Sequence, residues 1–239
     1  MNAVISPLRF VFWGLWSAIC MTGAIILSLL TFNSRAALWM QKNIWVHGAL
    51  AIPGAQIKFS KNDNIIPSKP YVFVANHQSY IDIPAIIRAV PRPLYFIAKK
   101  ELQWMPFLGW YVLATGMILI DRSNRKMAIQ SLKEAAIMIN NGKSILAFPE
   151  GTRSKNGELN TFKKGAFMLA IQAGVPVVPI AISGTEKIFP ATKIQLIPGK
   201  LKLTICDPIS TEGYTKETVS ELIEVVKGKV QLAKERLDS

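Results

Sequence analysis

His77 is one of two histidines in the chain, and it stands five residues before Asp82, directly after an apolar run. A carboxylate that holds one imidazole nitrogen fixes the tautomer and stabilises the imidazolium, which frees the other nitrogen to take a proton from an alcohol. The same two residues also read as a loop histidine beside an aspartate that caps a helix opening near Pro84. A second cluster is Phe148-Pro149-Glu150-Gly151-Thr152-Arg153-Ser154. Gly151 allows the backbone to approach a ligand closely, and Arg153 offers a planar fork suited to a phosphate. The plainer reading is a turn with a solvated arginine. A third cluster, Asp121-Arg122, is either a phosphate contact or an ion pair within the dipeptide. There is no G-x-S-x-G elbow, and Cys20 and Cys206 lie far from these clusters with no metal-ligand spacing around them. Neither a serine elbow nor a metal-ligand set accompanies the histidine, so the chemistry these residues could offer is removal of a proton from an alcohol, beside the plainer readings of each cluster.

These clusters share a position relative to the elements that must hold them. Short apolar runs at 71–75, 94–98, 117–120, 144–148 and 177–182 read as buried strands. Residues 200–206 alternate polar and apolar, which predicts a sheet edge with one wet face. Helical patterns cover 84–89, 125–140, 164–173 and 216–237, and Asn140-Asn141-Gly142 and Ala173-Gly174 stop two of them. The fold class expected is α/β, a largely parallel sheet flanked by helices. In such sheets reactive groups collect where strands end. Each polar cluster directly follows an apolar run, so the three belong to one site.

The order of the clusters is more specific than any one of them. Asn76-His77 through Asp82 reads N-H-x-S-x-x-D, then come Ala98-Lys99-Lys100-Glu101-Leu102, Gly116 through Arg122, the F-P-E-G-T-R-S run, and Val175-Pro176-Val177-Val178-Pro179-Ile180. In this order and spacing, over roughly 77–184, the chain resembles the glycerolipid acyltransferase family, in particular 1-acylglycerol-3-phosphate acyltransferases. The resemblance implies that His77 and Asp82 are catalytic. It implies that Arg122, Glu150, Gly151, Thr152 and Arg153 bind the glycerol phosphate. Lys99 is the lysine implied to help hold the phosphate, with Lys100 its neighbouring candidate. The 175–180 segment is implied in acyl-chain or donor binding, beside its simpler reading as a buried strand.

The implied reaction moves an acyl group from an acyl carrier protein or coenzyme A thioester to the sn-2 hydroxyl of lysophosphatidic acid, giving phosphatidic acid. It needs no cofactor or metal beyond that co-substrate. Two rivals are the same chemistry on another lysolipid, such as a lyso-ornithine lipid, and a non-enzymatic membrane protein that binds anionic lipid.

Composition agrees with a lipid substrate. Half of the 239 residues are hydrophobic and the formal net charge is +13. A basic, apolar chain suits anionic lipid or an acidic carrier, and no nucleic-acid motif is present. Residues 10–34 carry no charge and are flanked by Arg9 and Arg35. Their core, 10–32, meets the roughly 20 residues a span needs and exceeds the about 7–15 of a signal peptide. Residues 36–52 are apolar but interrupted by Gln41, Lys42, Asn43 and His47. They fit a helix lying in the interface, or the second arm of a hairpin that never fully crosses, with Gly23 and Ser28 at the packing seam. Residues 102–120 are uncharged too, but Pro106, Gly109 and Gly116 make them a poor span; they read as a short helix and strand near the interface. The organisation expected is a membrane-anchoring helical segment, 1–52, and an α/β acyltransferase domain, 53–239. The location expected is a bacterial inner membrane, with the domain on the cytoplasmic side.

Overall fold

A computed structural model describes residues 2–121 and 123–239. In chain order the elements are α1 (Asn2–Thr31), α2 (Ser34–Met40), a π-helical turn (Gln41–Trp45), α3 (Val46–Ala51), β1 (Ala55–Ser60), β2 (Val72–Ala75), α4 (Asp82–Ala89) and β3 (Leu94–Lys99). A 3₁₀ turn (Lys100–Trp104) follows, then α5 (Leu108–Thr115), β4 (Ile118–Ile120), α6 (Arg125–Asn140), β5 (Ser144–Ala147), α7 (Gly165–Ala173), β6 (Val177–Ser183), α8 (Thr185–Ile188), β7 (Gly199–Ile205) and α9 (Val219–Asp238).

The sheet has seven strands in the order β1-β7-β6-β2-β5-β3-β4. Pairs are parallel except β6 with β7, so β7 and β1 run against the other five. The central strand β2 is Val-Phe-Val-Ala with no exposed residue. Its two faces enter different cores. Val72 and Val74 face Ile139 of α6, Phe167 of α7 and Val226 of α9. Phe73 and Ala75 face Ile86 of α4 and Leu50 of α3. Truncating a buried aromatic such as Phe73 to alanine costs about 3–5 kcal/mol. A strand covered on both sides has no polar face, which is why the sequence shows a continuous apolar run there.

The 200–206 run forms β7 with the expected alternation, Leu201, Leu203 and Ile205 inward and Lys200 and Lys202 outward. It is not the edge. β1 pairs beyond it, Ala55 with Gly199 through Ser60 with Thr204. Gln56, Lys58 and Ser60 put a polar residue at every second position of β1, an open face suited to the sheet margin.

The N-terminal helices are built on small-residue contacts. On α1 the buried positions Ser17, Cys20, Ala24 and Ser28 recur every three to four residues. A Cβ on Gly23 would sit 2.7 Å from Met40 Cε, and one on Gly48 would enter the Trp16 ring. The seam is tied by indole N–H groups. Trp13 Nε1 donates to the Ala49 carbonyl (3.0 Å), Trp16 Nε1 to the Trp45 carbonyl (3.0 Å) and Trp45 Nε1 to Ser17 Oγ (3.1 Å). The outward side of α1 is large and apolar, including Phe12, Leu15, Ile19, Leu29 and Leu30, each more than half exposed. Small residues inward and large apolar residues outward are the arrangement of a helix whose solvent is lipid. The segment Ile5–Thr31 is long and apolar enough to cross a membrane. α1 also packs on α5, so it is a wall of the α/β body as well as a candidate anchor.

Candidate active site

The site forms where β2, β5, β3 and β6 end. At the end of β2, Asn76 is fully buried and its side chain imitates a further ladder residue. Nδ2 donates to the Ile182 carbonyl (2.9 Å) and Oδ1 accepts from the Ile182 N–H (2.8 Å). The main chain can then leave the sheet without orphaning the edge of β6. His77 follows, with its backbone held from both sides. Its N–H donates to Glu150 Oε1 (2.8 Å), and its carbonyl accepts from Ser154 N–H (2.7 Å).

Asp82 opens α4 and has no exposed surface. Its carboxylate turns back onto the loop. Oδ2 accepts from Gln78 N–H (2.7 Å) and Ser79 N–H (2.8 Å) and lies 2.8 Å from His77 Nδ1. Oδ1 accepts from the Thr185 hydroxyl at 2.5 Å. A buried carboxylate is costly unless its lone pairs are filled, and here four donors fill them. Because the carboxylate only accepts, the proton of the His77–Asp82 bond belongs on Nδ1. Nε2 then carries the free lone pair. The imidazole stacks on Phe148 with centroids 3.9 Å apart and planes at 19°, and its side chain is 15% exposed. A ring fixed by one hydrogen bond and one stack presents Nε2 in a defined direction.

Thr185 is a site residue that the sequence does not reveal. It lies 103 residues from Asp82, and a threonine after a glycine carries no signal of its own. Gly184 places it. That glycine has φ +88°, and a Cβ there would stand 2.5 Å from the Lys200 carbonyl oxygen. Only glycine fits so close to β7, and the turn brings the next hydroxyl onto the carboxylate.

After β5, Gly151 takes φ +76° and turns the chain sharply. Glu150 is 3% exposed and stands outside the cavity described below. Its Oε1 holds the His77 N–H, and its Oε2 accepts from Asn160 N–H (3.1 Å) and Nδ2 (2.8 Å). It therefore clamps the 151–160 loop to the histidine. Gln78 adds a second clamp, Nε2 donating to the Gly157 carbonyl (2.8 Å).

His77, Gly151, Thr152, Arg153 and Lys99 all line one cavity of about 670 Å³. This is within the about 300–1,000 Å³ of small-molecule sites. The rest of its wall is mostly apolar, with Phe10, Trp13 and Met21 of α1 and Leu108, Tyr111 and Val112 of α5. Lys99, at the end of β3, is half-exposed with Nζ 3.1 Å from Glu101 Oε1. Lys100 is paired with Asp121 at 3.3 Å. Asp121 is also the acceptor for the hydroxyl and N–H of Ser123, and these bonds hold its carboxyl below the usual range. Arg122 lies outside the described residues. The 175–180 segment lies mostly in β6, beside β2, buried apart from an intermediate Pro176.

The chemistry this permits is proton removal at one pole of an apolar cavity, beside cations that suit a phosphate. The acyltransferase family matches residues 56–183. The 1-acyl-sn-glycerol-3-phosphate acyltransferase of Saccharomyces cerevisiae is 37% identical over 207 residues, which are 85% of this chain and 68% of the yeast protein. The corresponding alpha enzyme of Mus musculus is 35% identical over 176 residues, 73% of this chain and 62% of its own length. The chain thus spans about two thirds of these relatives. The crystal structure of the 1-acyl-sn-glycerophosphate (LPA) acyltransferase of Thermotoga maritima superposes with a TM-score of 0.85 at 28% identity, covering 100% of this chain and 98% of that one. With the family matched across more than half of its residues and the fold shared along its whole length, the chain belongs to the glycerolipid acyltransferase family.

Proposed function

We propose that the protein transfers a fatty acyl group from a thioester to the sn-2 hydroxyl of lysophosphatidic acid, releasing phosphatidic acid and a free thiol. The observation that carries this reading is the shared cavity, with the His77–Asp82 pair and Arg153 at one pole and an apolar wall at the other. The acceptor has the same division, a dianionic head next to the reacting hydroxyl and a hydrocarbon tail.

In the reaction, His77 Nε2 takes the proton of the sn-2 hydroxyl as its oxygen attacks the thioester carbonyl. Asp82 holds Nδ1–H and stabilises the imidazolium that forms. The tetrahedral oxyanion collapses, the carbon–sulfur bond breaks, and the imidazolium returns its proton to the departing sulfur. A placed general base contributes about 10²–10⁴-fold. Positioning of the acceptor phosphate by Arg153, with Lys99 beside it, adds to that through charge-assisted bonds. The donor is an acyl carrier protein or coenzyme A thioester, and the basic net charge suits either. The protein works on a membrane through α1, with the catalytic domain on the side where thioesters are made, the cytoplasmic face of a bacterial inner membrane.

Purified protein in detergent micelles, given one thioester and a panel of lysolipids, tests the acceptor. Lysophosphatidic acid should be used at least about 10-fold better than lysolipids whose phosphate is a diester or absent, the value of one lost charge-assisted contact. Equal use of the whole panel would remove the phosphate from the reading.

A further inference from the structure

Arg153 is held in an unusual way for a surface arginine. Its Cζ stands 3.9 Å above the centre of the Tyr80 ring. Among the described residues no carboxylate pairs with it and no hydrogen bond from its guanidinium is found. The guanidinium thus rests on the ring, and none of its N–H donors is spent on a described partner. Stacking on an aromatic face uses the cation's charge but none of its five in-plane donors.

Tyr80 is itself backed. Its ring lies 5.3 Å from that of Phe189, which is buried and meets Phe10 and Trp13 of α1 edge to face at 5.9 Å each. The Ser79 hydroxyl donates to the Phe189 carbonyl (2.8 Å), so this support is also tied to the histidine loop. Tyr80 remains 45% exposed and lines the cavity with Arg153 and His77. A large aromatic residue left half open, between a rigid wall and an unpaired cation, is poorly used as core packing.

We propose that Tyr80 is the positioning residue of Arg153: its ring carries the guanidinium face and leaves the N–H edge directed to the acceptor phosphate. This rests on the assignment of Arg153 to that phosphate. Tyr80 does not touch the reacting atoms and moves no proton. Its contribution is to reduce the number of arginine orientations that must be given up when the acceptor binds. The phenol oxygen has no part in it, so phenylalanine serves as well as tyrosine.

The test is a double-mutant cycle on the full chain in micelles, read as KM for lysophosphatidic acid and kcat separately. Tyr80→Phe should stay within about twofold of wild type, and Tyr80→Leu should raise the acceptor KM about 5–20-fold while kcat changes little. On an Arg153→Ala background, Tyr80→Leu should add less than about twofold, because the group it positions is gone. Phenylalanines of increasing fluorination at position 80 keep the ring's shape and weaken its negative face. Their acceptor KM should climb with each fluorine, which gives a readout even if Tyr80→Leu folds poorly. An equal KM rise from Tyr80→Leu with and without Arg153 would overturn the proposal, since the ring would then contact the lipid itself. So would a fall in kcat alone, or a flat fluorination series. Arg153→Ala reports on the underlying assignment independently: an unchanged acceptor KM there overturns both, whereas a raised KM with a silent Tyr80→Leu overturns only the part given to Tyr80.

Discussion

The two ends of the polar pole are organised differently. Asp82 has no exposed surface and accepts four hydrogen bonds, and His77 is fixed by one of them and by Phe148. Arg153 rests on a ring with no carboxylate partner among the described residues, and Lys99 pairs only with an exposed carboxylate. The end proposed for proton transfer is thus complete before any ligand arrives, and the end proposed for the phosphate keeps the Arg153 donors unspent. Preorganisation lowers the barrier only where charge develops in the transition state, while open donors gain affinity only when a ligand fills them. Substitutions at the first end should therefore act on kcat, and those at the second on acceptor KM.

The largest break in that contrast is His77→Ala. It should lower kcat by at least about 100-fold, with circular dichroism and acceptor KM near wild type, given the usual worth of a general base. A variant retaining more than about a tenth of wild-type kcat would remove His77 from the proton transfer.

Arg153→Ala comes next, at about 10–100-fold in kcat/KM for lysophosphatidic acid, carried by KM. Arg153→Lys should recover only part of this, because an ammonium cannot make the two-pronged contact. Competition with the thioester should be unaffected; a change in donor KM instead would place the arginine on the carrier side.

The smallest effect sharpens the contrast most. Thr185→Val removes one of four donors to Asp82 and keeps the side-chain shape, so kcat should fall about 5–10-fold at constant acceptor KM. Thr185→Ser restores the hydroxyl and should restore the rate. Loss of melting temperature without a change in kcat would make Thr185 a packing residue only.

What could be read from the sequence divides along the same physical lines. Central strands such as β2 and β5 are legible because burial on both faces leaves an uninterrupted apolar run. β1 shows only a weak alternation in sequence, which is why 200–206 reads as the sheet margin although β1 pairs beyond it. His77, Asp82, Lys99, Gly151, Thr152 and Arg153 could be named because each belongs to a short motif after a strand. Thr185 and Tyr80 could not be given a part. One acts across 103 residues of chain, and the other acts through a ring face, for which sequence spacing has no signature. The hydrogen bonds of Glu150 are equally hidden, since a motif says which residue is present and not which way its carboxylate turns. The double use of α1, apolar and exposed on one side and cavity-lining on the other, needs the fold before it can be seen.

The most direct measurement follows a labelled acyl group. Purified protein in micelles receives lysophosphatidic acid and a thioester labelled in its acyl chain, and the label is traced by position on the glycerol. Direct transfer to the acceptor places it at sn-2 of phosphatidic acid, in step with thiol release, and His77→Ala leaves it in the thioester. Label appearing as free fatty acid, or thiol released equally fast without lysophosphatidic acid, would show a thioester hydrolase and contradict acyl transfer to the lysolipid.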